Sequence, residues 1–325
     1  MSLTEKHFAV APMMEWTDRH YRFLARLMTK QTRLYTEMVT SGALVHGDRQ
    51  RFLSFHQSEH PIALQLGGSD PIEMKQSAIW GEQAGFDEIN INVGCPSDRV
   101  QSGRFGVCLM REPNQVANCV TAMRDAVNIP VTVKCRIGVD DDDSYEFLTD
   151  FISQVANAGC KTFILHARKA WLKGLNPKQN REIPELNYER VYMLKRDYPN
   201  LKIWINGGIE SLDDIKRHLL HVDGVMMGRH AYKHPLFLLD IDKELFHVSE
   251  DKADSAEDIV LKYINYVEEN LKLGVPLNSM TKHILNMYQG IAGAKRWRRY
   301  LSENMHAPGA GTEVIHGALQ ALNSA

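Results

Sequence analysis

A cysteine at the end of one strand pattern is the residue best placed for chemistry. Glu88 to Val93 alternates apolar and polar residues, which predicts a strand. Gly94, Cys95 and Pro96 follow, and the glycine and the proline end the strand sharply. Cys95 therefore lies on a loop at the carboxyl end of a strand, where β/α barrels carry catalytic residues. The alternative is a small buried hydrophobic side chain, the commoner role of a lone cysteine.

The segment after Cys95 favours a loop of functional importance. It carries Gly103 and Gly106 but few large apolar residues, which predicts a mobile lid. Cys108 follows and is expected to pack rather than react. No histidine–aspartate pair that could activate a nucleophile is evident near Cys95 in the sequence, which argues against a cysteine hydrolase.

Polar residues end other strand patterns in the same way. Lys134 ends the fifth pattern and His166 ends the sixth, each among apolar or β-branched neighbours, so both are predicted to point toward the barrel mouth. His166 is alternatively a structural histidine. Asn206 to Ile209 (NGGI) and Met227 to Arg229 (MGR) end the seventh and eighth patterns, where barrels often bind phosphate through backbone N–H groups.

The strands that position these residues recur at the spacing of a β/α repeat. The eight patterns are Phe8 to Met13, Arg33 to Met38, Ile62 to Gly68, Glu88 to Cys95, Pro130 to Gly138, Thr162 to Arg168, Lys202 to Gly208 and Gly224 to Arg229. Helical patterns separate most of them: Pro71 to Ala84, Asn114 to Val127, Ser144 to Ala158 and Ser211 to Leu220, the last with a capping box through Asp214. This alternation predicts an α/β fold, a (β/α)₈ TIM barrel. An open doubly wound sheet would usually show a GxGxxG turn after its first strand.

The pattern changes after Phe246, where strand signals end. Ser255 and Asp258 form a capping box for a helix to about Leu273, and further helices are predicted at 278–289, 294–305 and 313–321. We therefore predict a barrel domain over residues 1–247 and a C-terminal all-α helical bundle over residues 248–325. On the third of these helices Trp297, Leu301 and Met305 can face the bundle core.

Composition indicates an ordinary globular protein. The chain has 325 residues, 44% hydrophobic and 24% charged, and five cysteines without a CxxC pair, so no metal site is predicted. No apolar run is long enough to cross a membrane, and no signal peptide is visible, which favours the cytoplasm.

The net charge is −2, but two segments are locally basic, 168–181 and 281–300, each with five Lys or Arg and no acid. The alternative for each is a solvated surface.

The sequence around Cys95 carries a family resemblance. Ile89-Asn90-x-Asn92-x-Gly-Cys-Pro-Ser, followed by a glycine-containing loop and a second cysteine, resembles the tRNA-dihydrouridine synthases, most closely the bacterial A-type subfamily that acts on D-loop uridines. The resemblance implies an FMN enzyme that reduces uridine to dihydrouridine in tRNA with NADPH. Hydride from FMN would reach C6, and Cys95 would give a proton to C5 from a neutral thiol with an ordinary pKa of about 8.5. We expect a monomer.

The resemblance also assigns binding residues. Those that would hold FMN are Pro12, Met13, Met14, Gln65, Lys134, His166, Asn206, Gly207, Gly208, Gly228 and Arg229. Those that would bind the uridine or the tRNA are Asn92, Arg168, Asn176, Lys178, Arg181, Lys295 and Arg298. A uridine in folded tRNA must flip out to reach a flavin inside a barrel. The long basic loop after the sixth strand is alternatively a plain insertion.

Two other functions stay open from the sequence. One is a dihydroorotate dehydrogenase-like FMN enzyme acting on a free pyrimidine, which would share the barrel and the active-site cysteine. The basic C-terminal helices argue against it. The other is a non-catalytic tRNA-binding protein, which would carry no flavin.

Overall fold

A parallel sheet forms the first part of the protein. The computed structural model describes residues 7–98, 100, 103–248 and 254–324. The strands are β1 His7–Val10, β2 Leu34–Tyr35, β3 Val39–Thr40, β4 Ile62–Gly67, β5 Glu88–Val93, β6 Val131–Arg136, β7 Thr162–His166, β8 Lys202–Asn206 and β9 Gly224–Met227. Their order is β1-β9-β8-β7-β6-β5-β4-β2, with β3 also on β4.

The sheet closes on itself. Backbone hydrogen bonds join Val10 N to Arg33 O (3.0 Å) and Arg33 N to Phe8 O (3.1 Å), across the remaining seam beside β2. Both β2 and β3 pair with β4, so the two short strands together fill one strand position of the barrel, with a break between them. Eight positions result, one for each predicted strand, and the predicted (β/α)₈ barrel is confirmed.

Helices alternate with the barrel strands and then continue alone. They are α1 Arg19–Met28, α2 Ser41–His46, α3 Arg49–Leu53, α4 Pro71–Ala84, α5 Pro113–Arg124, α6 Tyr145–Asn157, α7 Tyr188–Asp197, α8 Leu212–His218, α9 Arg229–Lys233, α10 Leu238–Phe246, α11 Ala256–Lys272, α12 Leu277–Thr281, α13 Ala294–Asn304 and α14 Glu313–Asn323. The signals that bound α4 act as predicted: Asp70 caps its amino end, and Gly85 ends it with a φ of 98°. Among the described residues, no helix is long and apolar enough to span a membrane.

The amino-terminal half of the barrel interior is structural. Glu88, at the start of β5, is 4% exposed. Its carboxylate accepts hydrogen bonds from the Tyr35 hydroxyl (2.8 Å) and the Thr132 hydroxyl (2.6 Å). It also pairs with the Arg33 guanidinium at 2.5 Å. Because this buried carboxylate is fully engaged, the polar residues at the opposite strand ends are the ones left for a site.

The chain divides into two compact units. The barrel unit is Met1–Met14 with Arg33–Gly228, and the helical unit is Glu15–Thr32 with Arg229–Ala325. The predicted boundary at 247/248 differs from this division, because α1, α9 and α10 belong to the helical unit. Within that unit Phe23 of α1 stacks on Tyr266 of α11, with ring centroids 4.0 Å apart. The alternation of strands and helices along the sequence does not indicate that α1 packs against α11.

Two helix predictions were wrong in detail. The predicted helix at 278–289 is only α12, after which the chain continues in turns. At α8 the Ser211 hydroxyl accepts from Asp214 N, as in a capping box. The box also needs the Asp214 carboxylate to accept from Ser211 N, but it accepts from Glu210 N instead, so the predicted box is not formed. The Ser255–Asp258 box is present at α11, and Trp297 and Leu301 are fully buried as predicted. Residues 249–253, between α10 and α11, lie outside the described residues.

Candidate active site

The carboxyl ends of four barrel strands bring the predicted polar residues together. The strand register sets Asn92 beside Lys134, and His166 beside both Arg136 and Asn206. Lys134 Nζ donates to Asn206 Oδ1 at 3.1 Å, which spans from β6 to β8. These residues, predicted from separate strand ends, therefore form one cluster.

The loop that carries Cys95 is fixed on both sides of that residue. Asn92 Oδ1 accepts from the backbone N–H groups of Gly94 (3.1 Å) and Cys95 (3.0 Å). Arg136 Nε donates to Gly94 O at 2.9 Å. Val107 N donates to Cys95 O at 3.0 Å. Both peptide groups that flank Cys95 are thus held in place, which preorganises its half-buried thiol.

The segment after Cys95 is better anchored than its glycines suggested. Gly106 has a φ of 71°, and a Cβ there would lie 2.6 Å from Cys95 O, so a side chain would displace the Cys95 loop. A 3₁₀ helix, Gly106–Arg111, follows with Val107, Leu109 and Met110 buried. The prediction of few large apolar residues in this segment was wrong for residues 106–111. Burial raises the pKa of Cys108, in keeping with packing.

A chain of amides connects the Cys95 loop to the barrel interior. Asn92 Nδ2 donates to Gln65 Oε1 (2.9 Å), and Gln65 Nε2 donates to Asn90 Oδ1 (2.8 Å). Gln65 is 1% exposed. Most of the hydrogen-bonding capacity of Asn92 is used by the protein, so the structure favours Asn92 as the residue that orients Cys95. Its predicted contact with uridine could use only the remaining Nδ2 hydrogen.

The cluster is strongly cationic. Burial and the Arg136 charge lower the pKa of Lys134 to about 8, and burial lowers the pKa of Arg136 to about 10. Burial and the same cations hold the pKa of His166 well below its usual range, so its ring is neutral at neutral pH. No carboxylate is among the groups that most influence these cations in the described part of the chain. Half-buried Lys134 and buried Arg136, without a carboxylate partner among the described residues, fit an anionic ligand.

The glycines after β8 form a close-packed turn. Gly207 and Gly208 have φ values of 112° and 68°. A Cβ on Gly207 would lie 2.6 Å from His166 Cδ2, and one on Gly208 would lie 2.5 Å from a Leu186 methyl carbon. The Tyr188 hydroxyl donates to Gly207 O at 2.9 Å. Such a turn leaves backbone N–H groups close to a bound anion, as phosphate binding requires.

The other predicted FMN residues are less constrained. Pro12 and Met13 are half-buried just after β1, and Met14 is 56% exposed. A Cβ on Gly228 would touch only Ala11, at an ordinary 3.8 Å. Arg229 begins α9 in the helical unit.

In the basic loop after β7, two of the residues predicted to bind tRNA make hydrogen bonds within the loop itself. The Arg168 guanidinium donates to the carbonyls of Glu182 and Pro184. Asn176 and Gln179 each bind the other's backbone N–H, at 2.9 and 3.0 Å. Lys178 and Arg181 are exposed. Arg168 and Asn176 therefore shape the loop, while Lys178 and Arg181 present charge at its surface.

Sequence reasoning missed several residues of this site. Arg136 donates to Lys169 O (2.9 Å) and Asn180 O (3.0 Å) as well as to Gly94 O, so it ties the Cys95 loop to the basic loop. Its position two residues after Lys134 on one strand could have revealed it, since alternate residues share a face. Ser97 Oγ lies 3.5 Å from Cys95 Sγ. Tyr188 gave no signal, because its contact with Gly207 depends on tertiary packing.

Under the reaction that the family resemblance implies, Asn92→Ala is expected to slow uridine reduction about tenfold to a hundredfold, since small misplacements of a catalytic group cost up to that much. Reduction of the flavin by NADPH, the other half-reaction that the resemblance implies, should stay unchanged. Asn92→Asp keeps the oxygen that accepts from Gly94 N and Cys95 N and should recover most of the rate. Single-turnover measurements of both half-reactions separate the steps. Equal losses in the two variants would contradict the turn-forming role and favour a contact through Nδ2.

Comparisons with known proteins agree on one family. Residues 9–323 match the family model described as dihydrouridine synthase (Dus). A Shewanella oneidensis protein is 56% identical over 320 residues, which is 98% of this chain and 95% of that protein. Proteins of Yersinia pestis and Escherichia coli are each 57% identical, over 97% and 96% of this chain and 91% and 90% of their own lengths. All three are named tRNA-dihydrouridine(20/20a) synthase.

A solved structure supports the fold alone. The 2-naphthoyl-CoA reductase in complex with 2-naphthoyl-CoA matches with a TM-score of 0.56 at 8% identity. The match covers 73% of this chain and 50% of that one. At this identity the similarity concerns the barrel and carries nothing about substrate.

Proposed function

The chain belongs to the dihydrouridine synthase family, and we propose that it reduces uridine to 5,6-dihydrouridine in tRNA, at positions 20 and 20a of the D-loop. The names of its relatives support the substrate and the positions. One observation from the structure carries the proposal: the Cys95 loop is fixed by Asn92 and Arg136 at the strand ends that also hold Lys134. The proposed proton donor and a group of cations suited to an anionic ligand thus share one end of the barrel.

FMN is the proposed cofactor, and the residues present fit it. Lys134 is half-buried and Arg136 is buried, and both cations lack a carboxylate partner among the described residues. Gly207 and Gly208 form a turn suited to a phosphate. Bound FMN supplies hydride to C6 of the uracil ring. Lys134 suits the electron-rich edge of the ring system, and the glycine turn suits its phosphate. NADPH is the proposed reductant.

Cys95 is the proposed general acid. Saturation of the C5–C6 bond needs a proton at C5, and a neutral thiol can donate it. The hydrogen bonds from Asn92 and Arg136 to its loop keep the thiol in one place before the uridine arrives. His166 is neutral and its ring packs on Gly207, which suits a hydrogen-bonding and packing role better than proton donation.

The tRNA contacts stay a proposal for both units. In the barrel unit Lys178 and Arg181 are exposed on the loop after β7 and suit backbone phosphates. In the helical unit Lys295 and Arg298 are exposed on α13. A monomer, the cytoplasm and the lack of a resident metal also stay predictions.

Reconstitution tests the function directly. Purified protein with FMN, NADPH and a tRNA transcript carrying uridine at positions 20 and 20a should form dihydrouridine there, read by mass spectrometry of nuclease fragments. FAD should not replace FMN, because the phosphate of FMN is expected to end at the Gly207–Gly208 turn. A transcript with cytidine at these positions is the matched control. No product with FMN, or equal product with FAD, would contradict the proposal.

A further inference from the structure

The helical unit contains a cavity of its own. Its volume is about 510 Å³, within the usual range of small-molecule sites, and its lining includes Glu15, Trp16, Tyr232, Lys282, Asn286 and Arg298. All of these residues belong to the helical unit. We call this cavity the Trp16 pocket. None of these residues is among those proposed to bind FMN or the modified uridine.

The aromatic wall of the Trp16 pocket is rigid. Trp16 stacks on Tyr232, with ring centroids 4.4 Å apart and planes at 18°. The Tyr232 hydroxyl and His283 Nδ1 are 3.0 Å apart, and His283 Nε2 lies 2.8 Å from an Asp18 carboxylate oxygen. His283 is 1% exposed, so this chain of contacts is buried behind the wall. A half-buried indole held this way offers a preformed surface for stacking.

The charges in the pocket are not equivalent. Lys282 Nζ is already engaged by the Asp18 carboxylate (2.8 Å) and Glu15 O (3.2 Å). Arg298 is exposed and makes no ion pair or hydrogen bond within the described part of the chain. Its guanidinium can therefore meet a phosphate or a base edge. The Asn286 amide adds a donor and an acceptor to the lining of the pocket.

From these groups we propose that the Trp16 pocket binds one unpaired nucleotide of the tRNA, with the base against Trp16 and a phosphate on Arg298. Stacking on an aromatic ring and a charge-assisted contact are the two interactions that proteins use for unpaired nucleotides. The Asn286 amide in the lining suits the amino, carbonyl or hydroxyl groups of a nucleoside. The inference rests on the proposed function for its partner, and it assigns to the helical unit a site for a nucleotide other than the modified uridine.

Arg298→Gln tests the phosphate contact. Filter binding of the tRNA transcript across a salt series should show weaker affinity and a log–log salt slope shallower by about 0.7–0.9, the value for one phosphate. The matched control is Arg299→Gln, since Arg299 is the next residue on α13, is exposed, and pairs with Glu303 at 2.8 Å. Equal effects of the two substitutions would overturn the assignment of Arg298 to the pocket.

Trp16→Leu tests stacking and should weaken tRNA binding about 5- to 150-fold, the range for one base on an aromatic ring. A crosslink on wild-type protein does not depend on the variant folding. A transcript with randomly placed 4-thiouridine should crosslink on irradiation to Trp16 in tryptic peptide 7–19 or to Tyr232 in peptide 230–233. Crosslinks elsewhere only, or a raised KM for NADPH with unchanged tRNA affinity, would overturn the proposal. Binding is measured without turnover, so a wild-type protein that forms no dihydrouridine would defeat the proposed activity while leaving this result readable.

Discussion

The Cys95→Ala protein is expected to take up FMN and to accept electrons from NADPH at the wild-type rate, while forming dihydrouridine about 10²–10⁴-fold more slowly. The reason is that only the second half-reaction needs a proton at C5. The loop contacts to Cys95 involve its backbone N–H and carbonyl, so they survive the substitution. Stopped-flow absorbance of the flavin gives the first rate, and mass spectrometry of the tRNA gives the second.

Cys108→Ala is the matched control for that substitution. Cys108 is also a half-buried free cysteine, on the 3₁₀ helix that packs behind the Cys95 loop. Wild-type rates are expected from it in both half-reactions. Near-normal dihydrouridine formation by Cys95→Ala would remove this thiol from the mechanism. A similar loss in the Cys108→Ala protein would mean that packing of the loop, rather than proton donation, sets the rate.

The barrel could be predicted from the sequence because its signals are local. Period-two alternation in segments such as Glu88 to Val93, and breakers such as Gly94 and Pro96, depend only on neighbouring residues. The caps of α4 are local in the same way, with Asp70 before the helix and Gly85 after it. Once parallel strands are inferred, their carboxyl ends must share one end of the barrel, which predicted the proximity of Lys134 and His166.

Roles that depend on tertiary contacts could not be predicted. The contact of Asn92 with uridine stays a prediction, but the sequence did not show that its carbonyl oxygen shapes the Cys95 turn and that its amide binds Gln65 from another strand. The contact of Arg168 with tRNA also stays a prediction, but the sequence did not show that its guanidinium binds carbonyls 14 and 16 residues further along the chain. A polar side chain at a strand end can form its hydrogen bonds with several different partners, and the sequence does not show which of them it meets in the fold.

The helical unit shows the same limit at larger scale. The sequence predicted a helical segment after the barrel but not that α1, between the first two strands, belongs with it. Asp242 of α10 accepts from the Thr29 hydroxyl (2.5 Å), which follows α1, and Asp18 before α1 binds Lys282 and His283. These contacts join residues more than 200 positions apart. Each is an ordinary polar residue in its own segment, so its partner becomes visible only in the fold.

Lys134→Met is expected to lower the rate of uridine reduction by about 10²–10³-fold, the usual loss when one preorganised electrostatic contact is removed. The substitution keeps much of the side-chain length but removes the half-buried charge beside Asn206 and Arg136. The midpoint potential of bound FMN should also fall, because a cation near the ring system favours its reduced form. Spectroelectrochemistry measures the potential, and single-turnover assays measure the rate. Lys75→Met, at an exposed position on α4, is the matched control.

The pH dependence of FMN binding separates charge from shape at the same residue. The pKa of Lys134 is lowered to about 8 in the protein without ligand, so its positive charge is present below pH 8 and is lost above it. A ligand that prefers the charged form should therefore bind the wild-type protein progressively less tightly above pH 8, approaching tenfold per pH unit. Arg136, with a pKa lowered to about 10, stays charged through most of that window. Flavin fluorescence titrations from about pH 7 to 9.5 should show this decline in the wild type and a flat profile in Lys134→Met. Identical profiles in the two proteins would mean that Lys134 does not carry the charge that binds FMN, and Arg136 would then be the next cation to test.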